Sequence, residues 1–220
     1  MLIYIIGAIF LMGLLIVLLK GSFQEGTGID GDKLVIAATQ VQQYAGELSR
    51  GVNYVMHEGY SETDLRFGTN IDSTYGDSND ELGRQIFSVK GGGVEYKLPQ
   101  EGINDGTPWQ FYGTTHLTDV GLNTSGEEKA ELIAVLPNVT EAFCSQINRS
   151  AKQAIDLRDV TDPAADGCIN AVGSEFNGAF IADGSANKLD DAKLTSTPAL
   201  EACVKCADGT FNYYKVLMSR

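Results

Sequence analysis

The chain opens on a single apolar block: residues 2–19 carry no charge and are rich in Leu and Ile. Coiled as a helix at roughly 1.5 Å per residue, the block is about 27 Å long, just enough to span a bilayer. The pattern then breaks at GSFQEGTGIDGD, residues 21–32, where Gly21, Gly26, Gly28 and Gly31 interrupt it. Each glycine disfavours a helix by about 1 kcal/mol relative to alanine, so this stretch is predicted to be a flexible, non-helical break. Over residues 33–59 the periodicity changes again. Leu34, Ala37, Ala38, Val41, Tyr44, Ala45, Leu48, Val52, Val55 and Met56 recur in steps of three and four. That spacing predicts one apolar face on an amphipathic stalk helix, capped at its start by Asp30 or Asp32 and at its end by Gly59. A helix packed on a sheet is the expected setting.

After residue 60 the apolar stretches shorten and are separated by Gly, Asn, Asp and Pro. GRQIFSV, GVEYKL and WQFYG read as strands, with a hairpin at the glycines 91–93. EKAELIAVLPNV fits either a strand or a buried helix, because a continuous apolar run has no period to separate them. TEAFCSQINRSAKQAI reads as a helix with Thr140 as its cap and Glu141 in its first turn. Residues 157–200 are rich in turn signals and need a covalent clip to be ordered. GTFNYYKVLMSR closes the chain as a strand, alternating Phe211, Tyr213 and Lys215 against Tyr214 and Val216. No repeat or long linker divides residues 60–220, so they are expected to form one globular α+β head.

Composition narrows the function classes. Sixteen Lys and Arg against 29 Asp and Glu give a formal net charge of −13. Such a surface repels phosphate backbones and anionic headgroups, which argues against nucleic acid as a partner. Only His57 and His116 are present, too few for a His-rich metal site. Cys144, Cys168, Cys203 and Cys206 all lie in the last third of the chain. An even, clustered set behind an export-type segment reads as two disulfides, with the pairing left open. The rival for Cys203 and Cys206 is a thiol redox pair or a zinc site. Zinc would want a second close pair, and a redox pair would want a strand-to-helix turn, which GTFNYYKVLM does not supply.

The motifs of catalysis and cofactor binding are absent: no phosphate-binding loop, no dinucleotide fingerprint, no nucleophile elbow and no zinc-protease signature. No catalytic, cofactor-binding or metal-binding residue is therefore assigned. DSTYGDSNDE and DVTDPAADG are acidic loops without the spacing of a calcium-binding helix–loop–helix. Asn123, Asn138 and Asn148 fit the glycan acceptor pattern, which arises often by chance.

The charges around the apolar block pose a conflict. No Lys or Arg precedes it, and only Lys20 follows closely. By the positive-inside tendency its C-terminal end would face the cytoplasm, where disulfides do not persist. A secretory signal would need a basic leading region and a small-residue cleavage site, and KGSFQEG offers neither in the usual form. The conflict disappears if a short basic leader was removed after insertion, leaving the block at the mature N-terminus.

An apolar start, a Gly-rich break and then ATQVQQYAGELSRGVNYVMHEGYSETDLRF resemble the stalk of bacterial type IV pilin-like proteins. The chain is similar to a narrower set of these that also share segments like GGGVEYKLPQEG, WQFYG, ELIAVLPNVTEAFCSQIN and FNYYKVLMSR. The resemblance implies a ladle: a long N-terminal helix buried in a filament, and a head facing outward. It implies no enzymatic activity. Residues 1–20 would form the filament core and, before assembly, the membrane anchor, with Met1, Ile5, Gly7, Phe10, Gly13, Leu14 and Val17 among the packing positions. Small residues there let helices approach closely, and an uncharged helix moves from lipid to a bundle at little cost. Ile5 departs from the family, whose members usually carry glutamate at the fifth mature position. The Met1 ammonium must then find carbonyls of a neighbouring helix or lie near the filament surface.

The partners implied are further copies of the same chain in a helical homopolymer, the pilus assembly machinery and prepilin peptidase. The implied locations are the inner membrane of a Gram-negative cell and then the extracellular surface, with N-terminal methylation after cleavage. The favoured reading is thus a filament subunit. The alternative is a membrane-anchored periplasmic or cell-surface binding module that does not polymerise, using aromatics such as Trp109, Phe111 and Tyr112. A thiol oxidoreductase built on Cys203 and Cys206 is the third reading, to be decided by the disulfide pairing.

Overall fold

The computed structural model describes residues 28–71, 73–121, 129–153, 169, 175–180, 187–189, 194–206 and 208–220. The chain divides into two compact units, residues 1–36 and residues 37–220. The described part of the first is the opening of helix α1, which runs Gly28–His57.

Helix α1 starts earlier than its apolar periodicity does. Gly28 and Gly31, expected in a non-helical break, belong to the helix. Once 33–57 is helical the nucleation cost has been met, and each further residue adds a backbone hydrogen bond that offsets the glycine penalty. At the other end Gly59 adopts φ +95°, the left-handed conformation that ends helices. Ala38, Val41, Tyr44, Ala45, Leu48, Val52 and Val55 are all buried, so the expected face is the one used. Each fully buried aliphatic side chain contributes roughly 1.5–3 kcal/mol. Gly51 is required in mid-helix because a Cβ there would strike Val94 and Ile86.

Among the described residues the sheet has five strands, in the order β3-β1-β2-β5-β4. They are β1 Gln110–Leu117, β2 Glu131–Leu136, β3 Asn187–Leu189, β4 Glu201–Lys205 and β5 Phe211–Met218. β1, β2, β5 and β4 pair antiparallel, and the short β3 lies parallel to β1 at the edge. A second helix, α2, covers Glu141–Ser150, and Thr140 caps it by accepting from the Phe143 amide. The fold class is α+β, with a helix packed on a mainly antiparallel sheet.

Both faces of this sheet are covered. On one, Leu136, Tyr213 and Cys203 share a row; the rings of Trp109 and Phe143 meet Tyr213 at 6.0 and 6.3 Å, and Tyr44 of α1 meets Trp109 at 5.6 Å. On the other, Tyr112, Ile133, Val135, Ala202, Tyr214 and Val216 pack with Ile169, Leu189, Leu194 and Ala199 from the loop-rich region. Every residue of β2 is buried. That explains why ELIAVL shows no alternation: alternation needs one wet face, and this strand has none.

The expected strands GRQIFSV and GVEYKL do not form. Residues 83–98 instead make single, interleaved bonds: Ile86 N–H to Arg66 O at 2.9 Å, Gly92 N–H to Gln85 O at 2.9 Å and Val94 N–H to Ile86 O at 3.2 Å. The glycines at 91–93 fold the chain back as tight turns on Ser88, to which Gly91 and Gly93 both donate, so no hairpin arises there. Ile86 and Val94 are buried. Their apolar character reflects burial without a ladder.

Candidate functional site

The expected filament-core positions Met1, Ile5, Gly7, Phe10, Gly13, Leu14 and Val17 lie outside the described residues, as do Gly21 and Gly26. What the structure describes is the part of α1 that follows them and the way the head holds it.

Three residues of α1 make polar ties to the rest of the fold. Gln42 donates to Glu201 Oε1 at 2.8 Å and to Ser150 Oγ at 3.2 Å. Ser49 donates to the Leu217 carbonyl at 3.2 Å. The Tyr44 hydroxyl accepts from the Lys97 amide at 3.0 Å, and burial pushes the phenol's pKa up. The opposite side of the helix carries Gln43, Arg50, Tyr54 and His57, all exposed. Their spacing of three to seven residues makes a single stripe. Tyr54, at 53% exposure, is the large apolar side chain on it.

Cys144 on α2 is bonded to Cys203 on β4, with Cα atoms 5.2 Å apart. Cys206 is also disulfide-bonded, and Cys168 lies outside the described residues. The Cys144–Cys203 bond pairs Cys203 with α2 rather than with Cys206. Beside the bond, Asn148 donates to the Cys203 carbonyl at 2.9 Å and accepts from the Cys203 amide at 2.8 Å. Its carboxamide thus completes the hydrogen bonding of β4 where another strand would otherwise be needed. That use, with 1% exposure, makes Asn148 unsuitable as a glycan acceptor. Asn138 likewise commits its amide nitrogen to Asp105 at 3.0 Å.

Trp109, Phe111 and Tyr112 are buried. Phe111 stacks on Phe67 at 3.9 Å, and the three are core residues. Among the described residues no group of three or more His, Cys, Asp and Glu could hold a metal ion, and no helix is long and apolar enough to cross a membrane.

One charged arrangement was not anticipated from the sequence. Glu131 heads β2 fully buried. Its Oε2 accepts from the Leu117 amide at 2.9 Å, and its Oε1 lies 3.9 Å from His116 Nδ1 without a hydrogen bond. Burial pushes the carboxyl up to about 8, against the opposing pull of the Leu117 amide and the Arg220 charge. The carboxyl is therefore mainly protonated at neutral pH. Arg220 pairs with Glu62 at 2.8 Å and lies 4.0 Å over the Phe180 ring. The available signal was a lone carboxylate at the head of the run ELIAVL. No protein-family model, curated protein or solved structure matches this chain.

Proposed function

We propose that this chain is a structural subunit of an extracellular type IV pilus-like filament, assembled through its N-terminal hydrophobic helix. One observation carries most of the reading: α1 is docked along one face to an antiparallel sheet while the opposite stripe stays solvent-facing. The uncharged block of residues 2–19 stands directly upstream in the sequence. A helix held on one side by its own head and continued by an apolar segment fits a stalk that packs among copies of itself. The Cys144–Cys203 bond supports an oxidising, extracytoplasmic setting for the head. In this reading the ladle is completed by residues 1–27, and no catalytic role is assigned.

Mass spectrometry of the N-terminal peptide from protein isolated from cells tests the reading. A mature chain starting at Met1, N-methylated and preceded in the gene by a short basic leader, is the expected result. An uncleaved leader, or cleavage beyond residue 20, contradicts it and favours the anchored binding module.

A further inference from the structure

The irregular layer of residues 66–96 encloses a surface hollow of about 330 Å³. Two aromatic rings, Phe87 and Tyr96, form part of its wall with their planes nearly perpendicular and centroids 5.0 Å apart. Thr69, Asn70, Ser78, Asn79 and Ser88 supply amide and hydroxyl groups, and none of the lining residues is charged. That neutrality is notable on a chain with a net charge of −13.

The walls are fixed by a buried tie. Gln85, 2% exposed, accepts from the Gly68 amide at 3.0 Å and donates to the carbonyls of Asp77 and Asp80, each at 3.0 Å. It therefore clamps the Gly68 and Asp77–Asp80 sides of the hollow together. Gly68 lets the two backbones meet, since a Cβ there would stand only 3.0 Å from Ser78 N and Cα. Ser78 donates to Asn70 Oδ1 at 2.6 Å, which turns the Asn70 carboxamide into a held group. Polar groups of this kind are positioned before any ligand arrives, which lowers the ordering cost of binding.

The composition of the walls selects the ligand. An anion would find no cationic side chain, and a cation no lining carboxylate. A purely apolar ligand would strip water from these five polar side chains without replacing their hydrogen bonds. What fits is a neutral ring with hydroxyls around its edge and C–H groups on its face. The electron-rich faces of aromatic rings attract such weakly positive hydrogens. The volume is at the small end of the roughly 300–1,000 Å³ of ligand pockets, enough for a single sugar ring. We propose that this hollow binds one neutral pyranose, free or at the end of a glycan. The proposal stands independently of filament assembly.

Saturation-transfer NMR tests it, using the full chain in a detergent without a sugar headgroup. The probes are the methyl glycosides of glucose, galactose, mannose and N-acetylglucosamine, their disaccharides, and methyl glucuronide as the charged counterpart. The expected result is saturable binding of at least one neutral glycoside, with a dissociation constant on the order of 1 mM. A disaccharide binding more tightly than its monosaccharide identifies a chain end as the source, and equal affinities a free sugar. The exposed substitution Asn70→Ala weakens binding about tenfold, and Leu82→Trp fills the hollow and abolishes it. Both variants are read alongside their melting curves. No saturable binding by any neutral glycoside overturns the proposal. So does glucuronide binding equally well, or unchanged affinity in both folded variants.

Discussion

The two faces of the sheet are held by different means. The helix face is clipped: Cys144–Cys203 joins α2 to β4, Asn148 brackets the same residue, and Gln42 reaches from α1 to Glu201. The loop face pairs an apolar cluster with side-chain ties to backbone: the Tyr214 hydroxyl donates to the Ala199 carbonyl at 3.0 Å, and Gln153 donates to the Ser196 carbonyl at 2.7 Å and accepts from the Thr195 amide at 2.9 Å. Helices bring hydrogen-bonded backbones to an interface, so directional ties can be added between side chains. An irregular segment leaves backbone amides and carbonyls without ladder partners, so its ties run to those groups instead. The clipped face is also the one that holds the proposed stalk, where pulling forces on a filament would enter the head.

The contrast can be broken most severely at the disulfide. The double substitution Cys144→Ala with Cys203→Ala should lower stability by about 4 kcal/mol, the chain-entropy value for a loop of this size, whose ends are 59 residues apart. Urea denaturation measures this, and a loss below about 1 kcal/mol would mean that the clip is not what holds α2. Next come neighbours on opposite faces. Leu132→Ala and Ile133→Ala, both fully buried, should each cost about 3 kcal/mol. Limited proteolysis should separate them: Ile133→Ala exposes cleavage within residues 194–200, and Leu132→Ala does not.

Asn148→Ala sharpens the clipped side at smaller scale. It leaves the Cys203 amide and carbonyl buried without partners, at about 2 kcal/mol in thermal or chemical unfolding. A separate test depends on pH. The Glu131 carboxyl is raised in the folded state, so its contribution is fully present below the unfolded carboxylate range and is lost as pH rises through about 8. Glu131→Gln preserves an acceptor for the Leu117 amide and removes the titration. Its melting temperature should match the parent near pH 3.5 and exceed it at pH 9; equal curves at both would show that the group does not titrate there.

What could be read in advance was local. The apolar face of α1 and the Thr140 cap of α2 each depend on neighbours in sequence, and each is found; the closing strand forms at Phe211–Met218, but with both faces covered its burial does not alternate. The strand at Glu201–Lys205 went unseen because its five residues, behind a turn-rich segment, carry too short a pattern. The false strands at 83–98 show the opposite failure: Ile86 and Val94 are apolar because α1 covers them, while Gly91–Gly93 forbid a ladder. Disulfide pairing and the burial of Glu131 depend on contacts between distant segments, which spacing does not encode. The hollow at Phe87 and Tyr96 belongs to the same irregular layer, and no periodic signal points to it.

The central proposal is that residues 1–20 drive assembly while the stalk helix and the head of residues 60–220 fold without them. Electron microscopy of the full chain, sheared from cells and purified, beside a chain lacking residues 1–27, tests it most directly. The account predicts filaments from the full chain and none from the truncated one, which should remain folded and monodisperse. Monodisperse particles from the full chain under every assembly condition, with no filaments on the cells, would contradict it.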